Sequence, residues 1–464
     1  MTAPKRVRLE VKILFVILFI VVLITGLLCR YWGKRPPAQT IHLGSWNILL
    51  ERKETDETVA AIISQLEHQL TDSLASYGYT ATFKPFYCPC DSLLINIDVT
   101  VVSTSGGGGS KVPPTPPSKI TPSGGIYFAS VHFNSNLAIP EIQNRVHAGL
   151  DSIQLQLDPV KHSTSGGPGT KKVTIAIIDT GIDSVFSKQT GLSPFLARKT
   201  PGALFNFLPY ADVSNNQDDD TVMKHGTFVT GAFLQRWLSS PPELEILELK
   251  ALDSTGNGTS FSASCAISYA IQQKVDLINA SWGYYGDVDS ILLHYIGMCN
   301  ERSIPVIVAA GNTQGVHKSA DVASTGPLNY PNKAGKLTER STTGPANLFY
   351  PACFSNGMPY VISVTGLNNL TSPHPLPCLY QNYSSDFVSI GVNDTLAGAS
   401  CTFVLGSTAV EGSSFEAPVI SYRIAHALSR WNIPKPVHAL DYLVPLSTDM
   451  KLATYTHNGA LIPN

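Results

Sequence analysis

Residues 173–183 read VTIAIIDTGID. The run from Val173 to Asp179 is β-branched and almost continuously apolar, and it ends on a carboxylate followed by a Thr-Gly turn. A strand that exposed one face would alternate apolar and polar residues. A near-continuous run is the pattern of a strand buried on both faces of a sheet. Similar runs recur at Leu244–Leu252, Val275–Trp282, Pro305–Gly311 and Tyr360–Leu367. Helical spacing fits Gly226–Trp237, Ser262–Lys274, Asp289–Arg302 and Ser414–Trp431. Buried strands alternating with helices predict an α/β fold, a parallel sheet with helices on both faces. In such sheets the reactive groups gather beyond the C-terminal ends of the strands.

Four groups sit at those ends. Asp179 follows the first strand. His225 opens a helix in KHGTFVTGAF, Asn312 closes PVIVAAGN, and Ser414 starts a helix in EGSSFEAPVIS. Singly, each has a plain structural explanation as a turn residue, a helix cap or a solvated loop side chain. Together they supply what acyl transfer requires. That is a hydroxyl nucleophile, a base near neutral pKa, a carboxylate to orient the base and a donor for the developing oxyanion.

These stretches resemble the subtilisin-like serine proteases, the subtilases, from about Lys172 to Trp431. IAIIDTGID resembles the family's Asp motif, and HGTFVTG its His motif, usually HGTHVAG. VIVAAGN resembles the oxyanion stretch, and GSSFEAP the Ser motif GTSMASP. LKALDSTGNG, VDLINASWG, YPACFSNGMPYVISVTGLN and NYSSDFVSIGV match intervening segments. The resemblance implies a serine endopeptidase with Ser414 as nucleophile, His225 as general base and Asp179 orienting the imidazole. Asn312 would be the oxyanion donor, and Ser281, Trp282 and Gly283 the edge that pairs with an extended polypeptide substrate. A catalytically silent scaffold of the same shape is the alternative. A lipase-like hydrolase would need G-x-S-x-G at the nucleophile and the order Ser, Asp, His, and neither is present.

The chain departs from the family at Lys224, where Gly is common, and at Phe228, Thr230, Ser413 and Glu416. The site residues are 46, 87 and 102 positions apart, the last spacing being long for the family. Gln314–Phe349 is read as an inserted loop. Asp183 is read as structural. The acidic run Asp218, Asp219 and Asp220 is read as an exposed loop. Oxygen clusters of that kind also hold calcium, but no metal site and no cofactor is expected.

Working outward toward the N-terminus, Ser103–Gly125 reads STSGGGGSKVPPTPPSKITPSGG, a linker. Ser163–Thr170 is a second Gly-rich break. Before the linker, Thr40–Leu50 fits a strand. Val59, Ile62, Ile63, Leu66, Leu70 and Leu74 fit one helix face, and Tyr79–Tyr87 and Leu93–Val102 fit strands. This β-α-β-β unit is a small α+β module. It is read as a retained accessory module, with a cleaved propeptide as the alternative. Gly125–Phe133 suggests another strand and Ile139–Leu155 a helix.

Ile13–Cys29 holds 17 residues without a charge, followed by Tyr31 and Trp32. This fits a membrane-spanning helix with an interfacial aromatic belt. A cleaved signal peptide would have an apolar core of about 7–15 residues and small residues at its cut. Lys5, Arg6, Arg8 and Lys12 precede the run, and Arg30, Lys34 and Arg35 follow it. That bias places the N-terminus in the cytoplasm and the peptidase outside it. The expected organisation is a tail (1–12), an anchor (13–32), the module (38–102), the linker (103–125), a connecting segment (126–171) and the peptidase domain (172–450).

Composition agrees with a chain that buries a large core. Of 464 residues, 43% are hydrophobic and 14% charged, and the net charge of −2 leaves no basic stripe for nucleic acid. Oligomeric state is not legible. The eight cysteines show no zinc spacing and are read as buried free thiols.

Overall fold

A computed structural model describes residues 40–50, 56–75, 79–103, 128–133, 136–138, 171–189, 196–197, 203–209, 218–221, 224–234, 244–285, 288–312, 348–368, 376–378, 381–393, 402–405, 408–430, 437–443, 447–448, 456–457 and 460–462. They fall into two compact units. One holds the described residues within 1–44, 55–84 and 98–117; the other holds those within 45–54, 85–97 and 118–464.

The larger unit is built on one parallel sheet. Its strands are β6 (Val173–Asp179), β7 (Leu244–Lys250), β9 (Leu277–Ala280), β11 (Val306–Ala309), β13 (Val361–Asn368), β15 (Ile390–Val392) and β19 (Ala460–Ile462). The order across the sheet is β19-β15-β13-β11-β9-β6-β7, every neighbouring pair parallel. β18 (Ser447–Thr448) adds antiparallel at one edge.

The sheet is apolar on both sides, as the sequence predicts. On β6, Ala176 and Ile178 join one core cluster, while Val173, Ile175 and Ile177 join the other. Helices α4 (Ser260–Gln272) and α5 (Ser290–Glu301) cover the first side through Phe261, Ala266, Ile291 and Tyr295. Helices α3 (His225–Leu234) and α6 (Ala417–Arg430) cover the second through Phe228, Phe233, Ile420 and Ile424. Every residue of α3 is buried, so this helix runs through the core rather than over it. α4 starts at a capping box in which Thr259 and Ser262 each accept a backbone N–H of the other's turn.

The strands are shorter than their apolar runs. In Val275–Trp282 only Leu277–Ala280 is laddered on β6 and β11. Asp276 N donates to Thr174 O as the chain enters, and Ser281 leaves the sheet toward the site.

Toward the N-terminus, β1 (Thr40–Leu50), β2 (Tyr79–Cys88), β3 (Asp91–Ser103) and β4 (Phe128–Phe133) form a sheet of order β2-β3-β1-β4. Helix α1 (Asp56–Ala75) carries the apolar stripe, with Val59 and Ile63 buried. The predicted helix at 139–155, the anchor at 13–32, residues 314–347 of the loop read at 314–349 and residues 104–125 of the linker read at 103–125 lie outside the described residues; Phe349 instead begins a short strand and Ser103 ends β3. Among the described residues, no helix is long and apolar enough to cross a membrane.

The cysteines correct the reading of all of them as free thiols. Cys88 and Cys265 form a disulfide across 177 residues, with Cα atoms 5.8 Å apart, and Cys378 is also disulfide-bonded. The β2–β3 turn at Pro89 and Cys90 presents Cys88 to helix α4, a proximity that sequence spacing does not reveal. Cys299 and Cys353 are buried and outside any disulfide, and burial pushes the Cys299 thiol up to about 12.

Candidate active site

Asp179, Ser281 and Asn312 follow three neighbouring strands, β6, β9 and β11, at their carboxyl ends. His225 is the first residue of α3. Ser414 lies in a 3-10 turn, Ser413–Phe415, just before α6. The structure therefore draws the predicted groups to one end of the sheet.

Asp179 Oδ1 lies 2.7 Å from His225 Nδ1, both side chains being essentially inaccessible to water. Thr180 N donates to the same oxygen at 2.7 Å. This bond selects the imidazole tautomer with its proton on Nδ1 and leaves Nε2 with a lone pair. His225 Nε2 makes no hydrogen bond among the described residues. Ser414 Oγ instead donates to Ser281 O at 3.1 Å, and Ser281 Oγ donates to Ser414 O at 2.8 Å.

Asn312 Oδ1 accepts from Ser413 N at 3.1 Å and from Ser413 Oγ at 3.2 Å. The amide is thereby oriented with Nδ2 on the opposite side, where it can donate. Gly412 lets this happen. Its φ is +143°, and a Cβ there would stand 2.9 Å from Asn312 Nδ2. Tyr285 OH donates to Asn312 O at 2.6 Å and accepts from Asn382 Nδ2 at 2.7 Å. Burial pushes the Tyr285 phenol up to about 12. Tyr285 and Asn382 thus fix the backbone that carries Asn312, and neither was legible in the sequence.

Of the residues read as a substrate edge, Trp282 is fully buried, with Nε1 donating to Ile178 O at 2.8 Å. Its side chain is core, so only its backbone can serve an added strand. At Gly283 a Cβ would fall 2.4 Å from Tyr350 O. That close approach comes from β10 (Tyr284–Tyr285) pairing with β12 (Phe349–Tyr350). Strand β5 (Asn136–Ala138) pairs antiparallel with β8 (Asn257–Thr259) and lies against β10, immediately after Gly283.

The acidic run needs correction. Asp219 is 1% exposed, not a solvated loop residue. Its Oδ2 accepts from Thr227 N and Oγ1, and its Oδ1 from Thr221 N and Oγ1. It thus satisfies otherwise orphaned donors in the first turn of the helix that begins with His225. Burial raises its pKa, and the nearby Asp179 charge adds to this. Asp220 pairs with Lys250 Nζ, which also donates to Thr180 O at 3.0 Å and Asp218 O at 2.8 Å. Asp183 is structural, as expected. Its Oδ1 accepts from Val185 N and Phe186 N at 2.8 Å, capping α2 (Ser184–Gln189), and its Oδ2 pairs with Lys224. Lys224 has φ +50° where the family commonly has Gly, so the departure keeps the left-handed backbone and adds an ion pair.

Phe228, one of the departures from the family pattern, packs against Phe415. Their rings meet edge-on at 6.5 Å, and Phe415 packs 5.5 Å from the His225 ring and 6.0 Å from Phe403. One face of the imidazole is thus backed by the Phe415 ring.

Gly226 makes the closest approach near the site. A Cβ there would lie 2.2 Å from Gly181 O. Gly226→Ala is therefore expected to destabilise the fold by about 3 kcal/mol, the cost of overpacking a rigid backbone contact. A denaturant melt checks this.

Thr230 explains another departure. Its hydroxyl lies 2.9 Å from Gly226 O and 2.6 Å from Glu248 Oε1. One hydroxyl proton cannot serve two acceptors, so the chain is balanced when Glu248 is a neutral acid donating to Thr230. Burial drives Glu248 in the same direction, well above the usual carboxylate range, helped by the Asp179 and Asp219 charges. A raised pKa means the folded chain keeps a proton that the unfolded chain releases. That stabilisation is complete below the ordinary glutamate range and is lost as pH rises toward the folded value. Stability should fall by up to about 1.4 kcal/mol per pH unit through that window from this group. Glu248→Gln should flatten that slope and be at least as stable at neutral pH, as measured by melts across pH.

Among the described residues, Cys88, Cys90 and Cys265 are the group of three potential ligands close enough together to hold a metal, and two of them are tied in the disulfide.

Comparison with known proteins agrees with the fold and the family. The profile of the Subtilase family (peptidase S8) matches residues 170–451. Minor extracellular protease Epr of Bacillus subtilis is 28% identical over 201 residues, 41% of this chain and 28% of that protein. Subtilisin E of the same organism is 28% identical over 208 residues, 43% of this chain and 48% of that protein. Subtilisin of Bacillus pumilus is 31% identical over 183 residues, 38% of this chain and 57% of that protein. The chain therefore spans about half, or less, of the first two relatives' length. Among solved structures, the epidermin leader peptide processing serine protease of Staphylococcus aureus superposes with a TM-score of 0.51 at 14% identity. That match covers 90% of this chain and 97% of that one, and it speaks to fold alone. With 282 of its 464 residues inside the family profile (451 − 170 + 1), the chain belongs to the subtilase family.

Proposed function

We propose that the chain is a serine endopeptidase that cleaves extended polypeptides through an acyl-enzyme. The buried Asp179–His225 bond at 2.7 Å carries this reading, because it prepares the base and fixes its tautomer. Ser414 attacks the scissile carbonyl as His225 Nε2 takes its proton. The resulting imidazolium is stabilised by Asp179 and passes the proton to the leaving amine. Asn312 Nδ2 and the Ser414 N–H receive the oxyanion. Water then repeats the sequence on the acyl-enzyme. The backbone of Ser281–Gly283 pairs with the substrate as an added strand.

The Ser414 to Ser281 hydrogen bond favours a second reading, a catalytically silent subtilase-fold scaffold. Against it stands the complete set of acid, base, nucleophile and oxyanion donor. Catalytic hydrogen bonds are often loose before substrate binds.

The apolar run at 13–29 supports a membrane anchor with a cytoplasmic N-terminus. Two disulfide-bonded sites, Cys88–Cys265 and Cys378, support an oxidising compartment for the peptidase.

The test is hydrolysis of a peptide library by the full chain in detergent, before and after limited cleavage within residues 139–170, beside a Ser414→Ala control. Endoproteolysis lost in the control is expected. Equal turnover in both would sink the reading, and no turnover in either state would leave the scaffold reading standing.

A further inference from the structure

The parts of the chain that precede residue 139 in the larger unit are seated on the peptidase by specific contacts. Asn47 Nδ2 donates to Ser260 Oγ at 2.9 Å, and Asn47 Oδ1 accepts from Asn96 Nδ2 at 2.9 Å, all buried. Asp91 Oδ2 accepts from Ser268 Oγ at 2.9 Å and from Tyr295 OH at 2.8 Å. Gln272 Nε2 donates to Cys90 O at 2.8 Å. These contacts lie on α4 and α5. β5 then continues the seat as a strand on β8, beside the edge read as substrate-binding. One contact is covalent, the Cys88–Cys265 disulfide.

Resting on the peptidase reading above, we propose that the Cys88–Cys265 disulfide is a reducible latch that holds the β5-bearing segment over the substrate edge, even after the backbone is cut between β5 and β6. Hydrogen bonds alone release a cut segment by simple dissociation. A disulfide makes that release conditional on a reductant. The latch opens by thiol–disulfide exchange with an external dithiol. One thiolate of the dithiol attacks a sulfur of the pair, the Cys88–Cys265 bond breaks, and a mixed disulfide forms. The second thiol closes on the first, leaving as a cyclic disulfide. Two electrons and two protons pass to Cys88 and Cys265, which end as thiols.

Cys90 bears on whether the latch opens by itself. Its Sγ lies 3.3 Å from Cys88 Sγ and 3.8 Å from Cys265 Sγ, and it donates to Cys265 O at 3.4 Å. Burial pushes this thiol up to about 12, and Asp91 adds to the shift, so at neutral pH it is a thiol rather than the thiolate that exchange requires. The near neighbour is therefore held unreactive, and the latch answers to a reductant from outside.

The test inserts a recognition site for a sequence-specific protease within Ser163–Thr170 of the full chain in detergent. After cutting, the two pieces should migrate as one band on a denaturing gel without reductant and as two with dithiothreitol. Peptide hydrolysis by the cut chain should rise at least tenfold on reduction. Cut Cys265→Ser should give two bands and full hydrolysis with no reductant; Cys88→Ser combined with Cys90→Ser, which leaves Cys265 no neighbouring thiol to pair with, serves the same purpose if Cys265→Ser misfolds. Cys90→Ser should behave as the parent. Separation of the parent's pieces without reductant would overturn the latch. So would hydrolysis equally high before and after reduction, and that result would leave the peptidase reading intact. No hydrolysis in any state, with the pieces still held together, would overturn the peptidase reading and the gating that rests on it.

Discussion

His225→Ala is expected to lower kcat for peptide hydrolysis by roughly 10⁶-fold, and adding Ser414→Ala to it should cost almost nothing more. The scale is that known for subtilisin, a family relative, rather than one derived from this chain. The reason for non-additivity lies in the proposed mechanism. Ser414 is a weak nucleophile until a base takes its proton, and His225 has no other proton to take. Each residue is useless without the other, so the first loss removes the whole effect. The residual rate should come from substrate binding and the oxyanion donors. Steady-state kinetics on the two single variants and the double variant checks this, and additive losses would mean that the two groups act independently. KM should change little, because neither side chain provides the substrate edge.

Asn312→Leu is expected to lower kcat by about 10²–10³-fold with KM nearly constant. That magnitude too comes from subtilisin. Its application here follows from how Asn312 is held. Both donors of Ser413 bind Oδ1, so the amide cannot flip without breaking two hydrogen bonds. Tyr285 holds the backbone carbonyl of the same residue. A donor fixed in advance strengthens its bond only as charge develops on the substrate oxygen, which is why the loss belongs in kcat. Asn312→Asp keeps the shape and the acceptor but not the donor, and should fall as far. Ser413→Ala removes one anchor and keeps the donor, so its loss should be smaller. Equal kcat in Asn312→Leu and the parent would remove Asn312 from the mechanism.

Much of the fold could be read from residue order, and the reason is physical. A strand covered by helices on both faces has few positions for a polar side chain, so VTIAIID and PVIVAAG stand out from their surroundings. The ends of these runs were less legible. Val275 and Asp276 belong to the approach to β9: Asp276 N still bonds Thr174 O on β6, but the paired strand begins only at Leu277. The short strands β15 and β19 carry only three residues each, too few to show a period.

The site divides in the same way. Asp179, His225, Asn312 and Ser414 stand at turns and helix starts inside recognisable stretches. The groups that support them act across long separations. Glu248 is a charged residue within a buried strand, which was a usable signal of a special environment. Its partner Thr230 is 18 residues away on a helix. Asp219 sits in an acidic run that looked solvated, and only the fold shows it beneath the first turn of α3. Tyr285 lies 27 residues before the carbonyl it holds, and Asn382 97 residues after Tyr285. Cys88 and Cys265 meet across 177 residues, and no spacing rule pairs such cysteines.

The most direct test of the account is fluorophosphonate labelling of the chain, cut within residues 139–170 and reduced, followed by mass spectrometry of its peptides. The account predicts one stoichiometric adduct on Ser414, absent from Ser414→Ala and strongly slowed in His225→Ala. An unlabelled Ser414 in a folded chain, or labelling as fast in His225→Ala as in the parent, would contradict it.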